Sequence, residues 1–150
     1  MPTKRIRFST TIRATPERVW SVMLAQDTYR QWTRAFAEGS RYEGSWDEGA
    51  RIRFLGPNGD GMVSEIAESR PPGFLSIRHR GMIVGGVEDT TSEAVRAWAP
   101  AYENYTLRAA EGGTELLVDQ DVPSDWEDHL AGAWPVALGL LKSLCERESR

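Results

Sequence analysis

The sequence is poor in the residues that most metal and disulfide sites require. It contains one cysteine, Cys145, and two histidines, His79 and His129, among 150 residues. One cysteine cannot form an internal disulfide, and so few thiol and imidazole groups leave no ligand set for a structural zinc site. We therefore expect no bound transition metal and no cofactor.

Positive charge and long apolar runs are also scarce. The chain has 18 Lys and Arg residues against 22 Asp and Glu residues, which gives a formal net charge of −4. An acidic chain has no general attraction for nucleic-acid phosphates or anionic membranes. The longest largely apolar run, 130–141, is interrupted by Pro135 and is too short to span a bilayer. We expect no nucleic-acid partner, no membrane span and, without a visible secretory signal, a cytoplasmic location.

Phosphate-binding and nucleophilic motifs are missing as well. Gly56, Gly59 and Gly61 match neither the dinucleotide fingerprint nor the phosphate loop, so this cluster indicates a hairpin turn. No Gly-x-Ser-x-Gly elbow is present. Asp119 and Asp121 share one strand face, and their alternation with apolar residues favours a solvated face over an acid–base pair. We predict no catalytic residues from these motifs.

The composition that remains fits one globular domain. Hydrophobic residues make up 40% of the chain and charged residues 27%, which is typical of folded proteins. A length of 150 residues corresponds to one ordinary domain. We interpret residues 1–150 as a single domain.

The N-terminal part changes from strand to helix patterning. Apolar or small residues alternate with polar ones from Arg5 to Arg13, which predicts a half-buried strand. Thr15 supplies a capping oxygen and Pro16 a favoured first helical residue for the helix that follows. The spacing of three aromatic residues predicts a second short helix, closed by Gly39. These three residues are Tyr29, Trp32 and Phe36.

From residue 40 to residue 122 the pattern becomes that of an antiparallel meander. Short β-like runs are separated by glycine- and proline-rich turns. The connection from Met82 to Tyr102 is too long for a hairpin loop, and Thr90 with Glu93 predicts a capping box that opens a turn of helix. The six predicted strands are Tyr42 to Trp46, Arg51 to Leu55, Met62 to Ser69, Phe74 to Gly81, Glu103 to Ala110 and Thr114 to Val122.

The C-terminal part predicts an amphipathic helix. Ser124 and Glu127 form a second capping box, and Pro135 should kink the helix or begin its main section. Four apolar residues beyond the cap fall on one helical face. They are Trp134, Leu138, Leu141 and Cys145.

His79 is the most suggestive polar residue. It has the same strand parity as Leu75 and Ile77, so its ring should face the interior. The alternative is a core histidine that one hydrogen bond satisfies. Parity adds three further inward polar groups, Thr10, Ser64 and Gln120, and it places no Lys or Arg on the inward face. A few polar groups within an apolar wall are typical of a small-molecule pocket.

Several motifs together resemble the SRPBCC superfamily, which includes START domains, polyketide cyclases and birch-pollen-allergen-like proteins. Residues 12–20, Ile-Arg-Ala-Thr-Pro-Glu-Arg-Val-Trp, resemble the superfamily's approach to its first helix. Residues 44–50, 102–107 and 113–116, together with Trp134, resemble the branch named after the activator of the heat-shock-protein ATPase. The resemblance implies an α+β helix-grip fold. In it, a curved seven-stranded antiparallel sheet wraps a long C-terminal helix, and two short helices follow the first strand.

Two classes of function follow from this resemblance, and neither includes an assigned catalytic residue. The first is a binding domain whose hydrophobic cavity between sheet and C-terminal helix holds a neutral, apolar or aromatic molecule. The second is a cochaperone-like domain that binds a protein partner or a second copy of itself and holds no ligand. A cyclase or hydrolase that uses His79 ranks third. The candidate ligand-binding residues are Trp32, Phe54, Met62, His79, Tyr105, Gln120, Trp134 and Leu138.

Overall fold

The computed structural model describes residues 3–147. Within them the strands are β1 (Thr3–Ile12), β2 (Arg41–Gly44), β3 (Arg51–Leu55), β4 (Gly61–Arg70), β5 (Phe74–Val84), β6 (Val87–Asp89), β7 (Ala101–Ala110) and β8 (Gly113–Pro123). The helices are α1 (Pro16–Leu24), α2 (Gln26–Thr33), α3 (Glu93–Arg96) and α4 (Glu127–Arg147). A short 3-10 helix, Ser124–Trp126, precedes α4.

The strands form one antiparallel sheet in the order β1-β8-β7-β5-β4-β3-β2, and β6 pairs with β5. Two short helices follow β1, and the long helix α4 contacts β1, α1 and α2. This is the helix-grip fold that the resemblance implies, so the predicted fold class is confirmed.

The prediction of seven strands is wrong by one. Strand β5 does not end at Gly81; it continues to Val84 and returns as β6, within the predicted long connection. Gly85 and Gly86 form the turn with φ of +60° and +80°. Two consecutive left-handed residues suit the tight turn of a two-residue hairpin, and glycine adopts them without steric cost.

The structure confirms one of the three predicted helix caps. Thr15 caps α1 by accepting the backbone N–H of Arg18 at 3.2 Å, and Pro16 is the first helical residue. Helix α3 is capped by Ser92 rather than Thr90. The 3-10 helix before α4 has no side-chain cap, so the predicted Ser124 cap is wrong. Helix α2 ends at Thr33, so Phe36 and Gly39 lie beyond it.

Helix α4 buries the face that the sequence predicts. Trp134, Leu138, Leu141 and Cys145 are all buried in the main hydrophobic core. The helix continues through Pro135 as one element, so its main section does not begin there. Within residues 3–147, none of the helices combines the length and hydrophobicity that a bilayer crossing requires.

Candidate functional site

A cavity of about 270 Å³ lies between the sheet and the helices. Its walls come from α2 and the turn that follows it, from strands β2, β3, β4, β5, β7 and β8, from the 3-10 helix and from α4. Seven of the eight predicted ligand-binding residues line it: Trp32, Phe54, Met62, His79, Tyr105, Gln120 and Trp134.

Leu138 is the exception, because it does not line this cavity. It is 4% exposed and packs in the main core one helical turn beyond Trp134. Residues four apart share a helix face, and they lie at different heights along the helix axis. The cavity borders α4 at His129, Leu130 and Trp134, so Leu138 is too far along the helix to reach it.

Aromatic rings form a large part of the cavity wall, and Trp134 is central among them. Its ring centroid lies 4.9 Å from that of Phe36, in an edge-to-face arrangement, and 6.3 Å from that of Trp32. Tyr105 contacts the same indole from the sheet, at 6.1 Å between centroids. Such ring pairs stabilise a fixed geometry beyond the burial of their area. The wall therefore contains a packed cluster of aromatic rings around Trp134.

The polar centre of the cavity is the carboxylate of Glu103. Its Oε1 accepts hydrogen bonds from His79 Nε2 at 2.9 Å and from Gln120 Nε2 at 3.2 Å. Its Oε2 accepts the hydroxyl of Tyr105. Gln120 Oε1 in turn accepts the indole N–H of Trp134 at 2.8 Å. One connected network thus joins three strands to α4.

The sheet register explains why these groups meet. Glu103 on β7 lies directly opposite Gln120 on β8 and opposite Ile77 on β5. His79 is two residues from Ile77 on β5, so it reaches Glu103 diagonally, which is within range of long side chains.

Glu103 is the central residue of the candidate site that the sequence interpretation missed. It has the same parity on β7 as Tyr105 and Leu107, both of which face the interior, and this parity is the signal that could have identified it. The predicted list of inward polar groups, which were Thr10, Ser64, His79 and Gln120, is therefore incomplete. The interior contains a carboxylate, and His79 has an acidic partner.

Ser64 holds the other side of the His79 ring. The Ser64 Oγ to His79 Nδ1 distance is 2.7 Å, and the two residues are opposite each other on β4 and β5. Ser64 is 2% exposed and does not line the cavity. Both ring nitrogens of His79 are therefore occupied, and the serine hydroxyl has no access to a bound molecule.

Two tyrosines near Glu103 remain protonated over the physiological pH range. Burial raises the pKa of Tyr105 well above its ordinary value, and the negative charge of Glu103 raises it further. Burial and the same carboxylate also raise the pKa of Tyr29. Tyr105 therefore acts as a hydroxyl donor to Glu103 and not as a phenolate.

Arg41 contributes a cation to the cavity wall, which the strand parity did not predict. It is the one Lys or Arg among the described residues that line the cavity. Its guanidinium donates to the backbone carbonyl of Gly56 at 2.9 Å. Among residues 3–147, the ion partner of Glu103 is His79, and no Lys or Arg forms an ion pair with it.

A second cavity, of about 430 Å³, adjoins the first. The two share five lining residues: Met62, His79, Gln120, Trp126 and Leu130. The second cavity reaches the exposed side chains of Met82 and Val84 on β5. The interior thus continues toward an apolar rim.

The acidic pair Asp119 and Asp121 lies outside the first cavity. Arg5 binds both carboxylates, with N to O distances of 2.6 Å and 2.8 Å. The two aspartates are partly exposed and pair with Arg5 in exposed hydrogen bonds. In the part of the chain that the structure describes, no group of three or more His, Cys, Asp or Glu residues could hold a metal ion.

Solved structures with the same fold come from several bacteria. Protein MLL2253 of Mesorhizobium loti has a TM-score of 0.73 at 18% identity, over 98% of this chain and 100% of that one. Protein CV1439 of Chromobacterium violaceum has a TM-score of 0.69 at 19% identity, over 95% and 96%. The Aha1 dimer of Colwellia psychrerythraea has a TM-score of 0.69 at 18% identity, over 98% and 99%. At these identities the likeness shows the fold alone.

A search of curated proteins gives no match. The family model described as "Activator of Hsp90 ATPase homolog 1-like protein" matches residues 13–146. That span runs from the approach to α1 to the last turn of α4 and includes every residue of the Glu103 network. The chain therefore belongs to the Activator of Hsp90 ATPase homolog 1-like protein family.

Proposed function

We propose that this chain binds a small apolar or aromatic organic molecule in the cavity between the sheet and α4. The observation that carries the proposal is the combination of a largely aromatic wall with one connected polar network at Glu103. Small-molecule sites have this character: mostly apolar surface, with a few placed polar groups that fix orientation.

The expected contacts follow from the positions of the side chains. The rings of Trp32, Phe36 and Trp134 offer flat surfaces for an aromatic molecule, and Phe54 lies across from them on β3. Glu103 and its hydrogen-bonding partners provide the polar end.

Anions are the least suitable ligands. A second negative charge beside the Glu103 carboxylate would be repelled in a site of low dielectric constant. Arg41 donates one hydrogen bond to the carbonyl of Gly56, and it does not ion-pair with Glu103. The prediction of an uncharged ligand assumed that no charged side chain faces the cavity. Glu103 lines the cavity, so this assumption is wrong.

Catalysis is not part of this proposal. Both nitrogens of His79 are hydrogen-bonded within the protein, and Ser64 does not reach the cavity. A hydrolase or cyclase would need a free base or nucleophile at the ligand.

A cochaperone-like role is the second candidate, and one observation favours it. Met82, Val84 and Val87 on the β5–β6 hairpin are exposed, as is Trp126 just before α4. Exposed apolar side chains that cluster are typical of protein contact sites. Membership of this family supports either reading.

A panel of uncharged aromatic and aliphatic probes tests the proposal, read by tryptophan fluorescence and thermal shift. We expect aromatic probes to bind and to raise the unfolding temperature, because a ligand that binds the folded state stabilises it by mass action. Native mass spectrometry of freshly purified protein is a parallel measurement, since a ligand carried through purification supports the same conclusion.

A matched pair of variants locates the binding. Leu130→Trp would fill the space that both cavities share and should abolish probe binding. Val136→Trp places the same side chain on the exposed face of the same helix and should leave binding unchanged. Probe binding that survives Leu130→Trp would refute the cavity as the site. If no probe binds the unmodified protein and no ligand is carried through purification, the protein-interaction role takes its place.

A further inference from the structure

Three side chains donate hydrogen bonds to the Glu103 carboxylate. Tyr105 and Gln120 donate through uncharged groups. His79 is the third donor, through Nε2. Whether the cavity carries a net charge at this point therefore depends on whether the His79 ring is neutral.

The contact with Ser64 satisfies the hydrogen bonding of the neutral ring. When His79 donates from Nε2, its Nδ1 is an acceptor in the neutral form, and the Ser64 hydroxyl can donate to it. In the imidazolium form both nitrogens donate, and Ser64 could only accept. Its own O–H would then be buried without an acceptor, because Ser64 is 2% exposed and His79 is its hydrogen-bonding partner. With a neutral ring, the site keeps the full negative charge of Glu103.

The carboxylate also has acceptor capacity to spare. Oε1 already accepts two hydrogen bonds, from His79 and Gln120, whereas Oε2 accepts only one, from Tyr105. A carboxylate oxygen accommodates about two donors. Glu103 lines the cavity, so a bound molecule can contact this side chain.

The rings around the carboxylate suit the same kind of ligand. The faces of aromatic rings carry partial negative charge and attract cations that lie against them. Seven aromatic side chains line the cavity together with Glu103, and six of them come from α2, the turn after it, the sheet and α4; the seventh is Trp126. The six are Tyr29, Trp32, Phe36, Phe54, Tyr105 and Trp134.

We infer that the ligand of this cavity is a small organic cation, an aromatic or apolar molecule that carries a protonated amine. The ammonium group donates to Glu103 Oε2, and the apolar part lies among the rings of Trp32, Phe36 and Trp134. This inference rests on the proposed function and specifies its ligand class. The charge selects amines over uncharged molecules of the same shape, and it excludes carboxylates.

Three probes of nearly equal shape test the inference: phenethylamine, 2-phenylethanol and phenylacetate. Isothermal titration at neutral pH and low salt gives their affinities. We expect phenethylamine to bind roughly tenfold more tightly than 2-phenylethanol, since a hydrogen bond between charged groups is stronger than one to a hydroxyl. Phenylacetate should bind most weakly. Equal or tighter binding of the alcohol would overturn the amine inference and leave the proposed function standing, whereas no binding of any probe would refute both.

Glu103→Gln isolates the charge, because the amide keeps the shape of the side chain. We expect the variant to lose about tenfold in phenethylamine affinity and to bind 2-phenylethanol as before. Glu111→Gln removes an exposed carboxylate outside the cavity and should change neither affinity. Loss of both probes to the same degree would contradict a role for charge.

If Glu103→Gln does not fold, Tyr105→Phe provides a second test of amine binding at Glu103. This variant preserves the carboxylate and frees a second acceptor position at Oε2. We expect the ratio of amine to alcohol affinity to rise, with folding checked by circular dichroism. A ratio that falls to one would show that Glu103 does not bind the amine.

Discussion

Two substitutions of Trp134 separate the stability that comes from packing of its ring from the stability that comes from its hydrogen bond to Gln120. Its indole is 1% exposed, and its N–H donates to Gln120 at 2.8 Å. A fully buried Trp→Ala change costs about 3–5 kcal/mol. One face of the indole borders the cavity, where water can replace part of the lost volume, so we expect about 3–4 kcal/mol for Trp134→Ala. Trp134→Phe retains a ring and leaves Gln120 Oε1 without its donor, which should cost about 1–2 kcal/mol.

Urea unfolding of the variants, followed by circular dichroism, measures both values. At about 2–4 °C per kcal/mol for a chain of this length, Trp134→Ala should lower Tm by roughly 6–16 °C. Trp126→Phe is the matched control, because Trp126 is 56% exposed, and it should stay within about 0.5 kcal/mol of the unmodified protein. If Trp134→Phe were as stable as the unmodified protein, the hydrogen bond to Gln120 would not contribute. If Trp134→Ala cost less than about 1 kcal/mol, the indole would not be part of the packed wall.

Three further predictions concern caps, a close backbone approach and the cysteine. Thr15→Ala should cost about 1 kcal/mol because Arg18 loses its cap acceptor, whereas Ser124→Ala should cost almost nothing, and urea midpoints compare the two. Gly61→Ala should prevent normal pairing of β3 and β4, because the added Cβ would lie 1.8 Å from the carbonyl oxygen of Phe54. An unchanged Tm would contradict this close approach of the two strands. Burial raises the pKa of Cys145 to about 12, so its thiol stays protonated at pH 8 and iodoacetamide should label it only after unfolding; rapid labelling of folded protein would disprove the burial.

The overall fold follows from patterns that are local in the sequence. Alternation of period two identified the first strand, turn residues between short β-like runs identified six more, and helical spacing identified the buried face of α4 from Trp134 to Cys145. These patterns succeed because one face of each element must be apolar to build the core. The eighth strand was missed because β6 has three residues, too few to show a period, although Gly85 and Gly86 mark its turn.

The capping errors have a different origin. A capping box needs only two residue types at fixed spacing, so a sequence can offer several candidates within a few residues. Ser92 has the hydroxyl that accepts from Val95, while Asp89 accepts the backbone N–H groups of Thr91 and Ser92. Neighbouring side-chain oxygens compete for backbone N–H groups near a helix start. The residue types alone do not show which side chain accepts which N–H.

The candidate site could be predicted only in part, because it depends on contacts that are distant in the sequence. Parity placed His79, Tyr105 and Gln120 on the inward face, and the structure agrees. Glu103 has the same parity as Tyr105, yet a carboxylate on a half-buried strand is usually solvated. It is retained inside because His79 and Gln120, on the two strands that flank β7, donate to it. These hydrogen bonds form because β7 lies between β5 and β8 in the sheet. The residue pattern of one strand does not show which strands flank it.

A crystal structure of the protein soaked with phenethylamine tests the central claim most directly. The account predicts electron density for the phenyl ring among Trp32, Phe36 and Trp134, with the amine nitrogen at about 2.7–2.9 Å from an oxygen of Glu103. A cavity that stays free of the probe at saturating concentration, or a probe bound only on the outer surface, would contradict it.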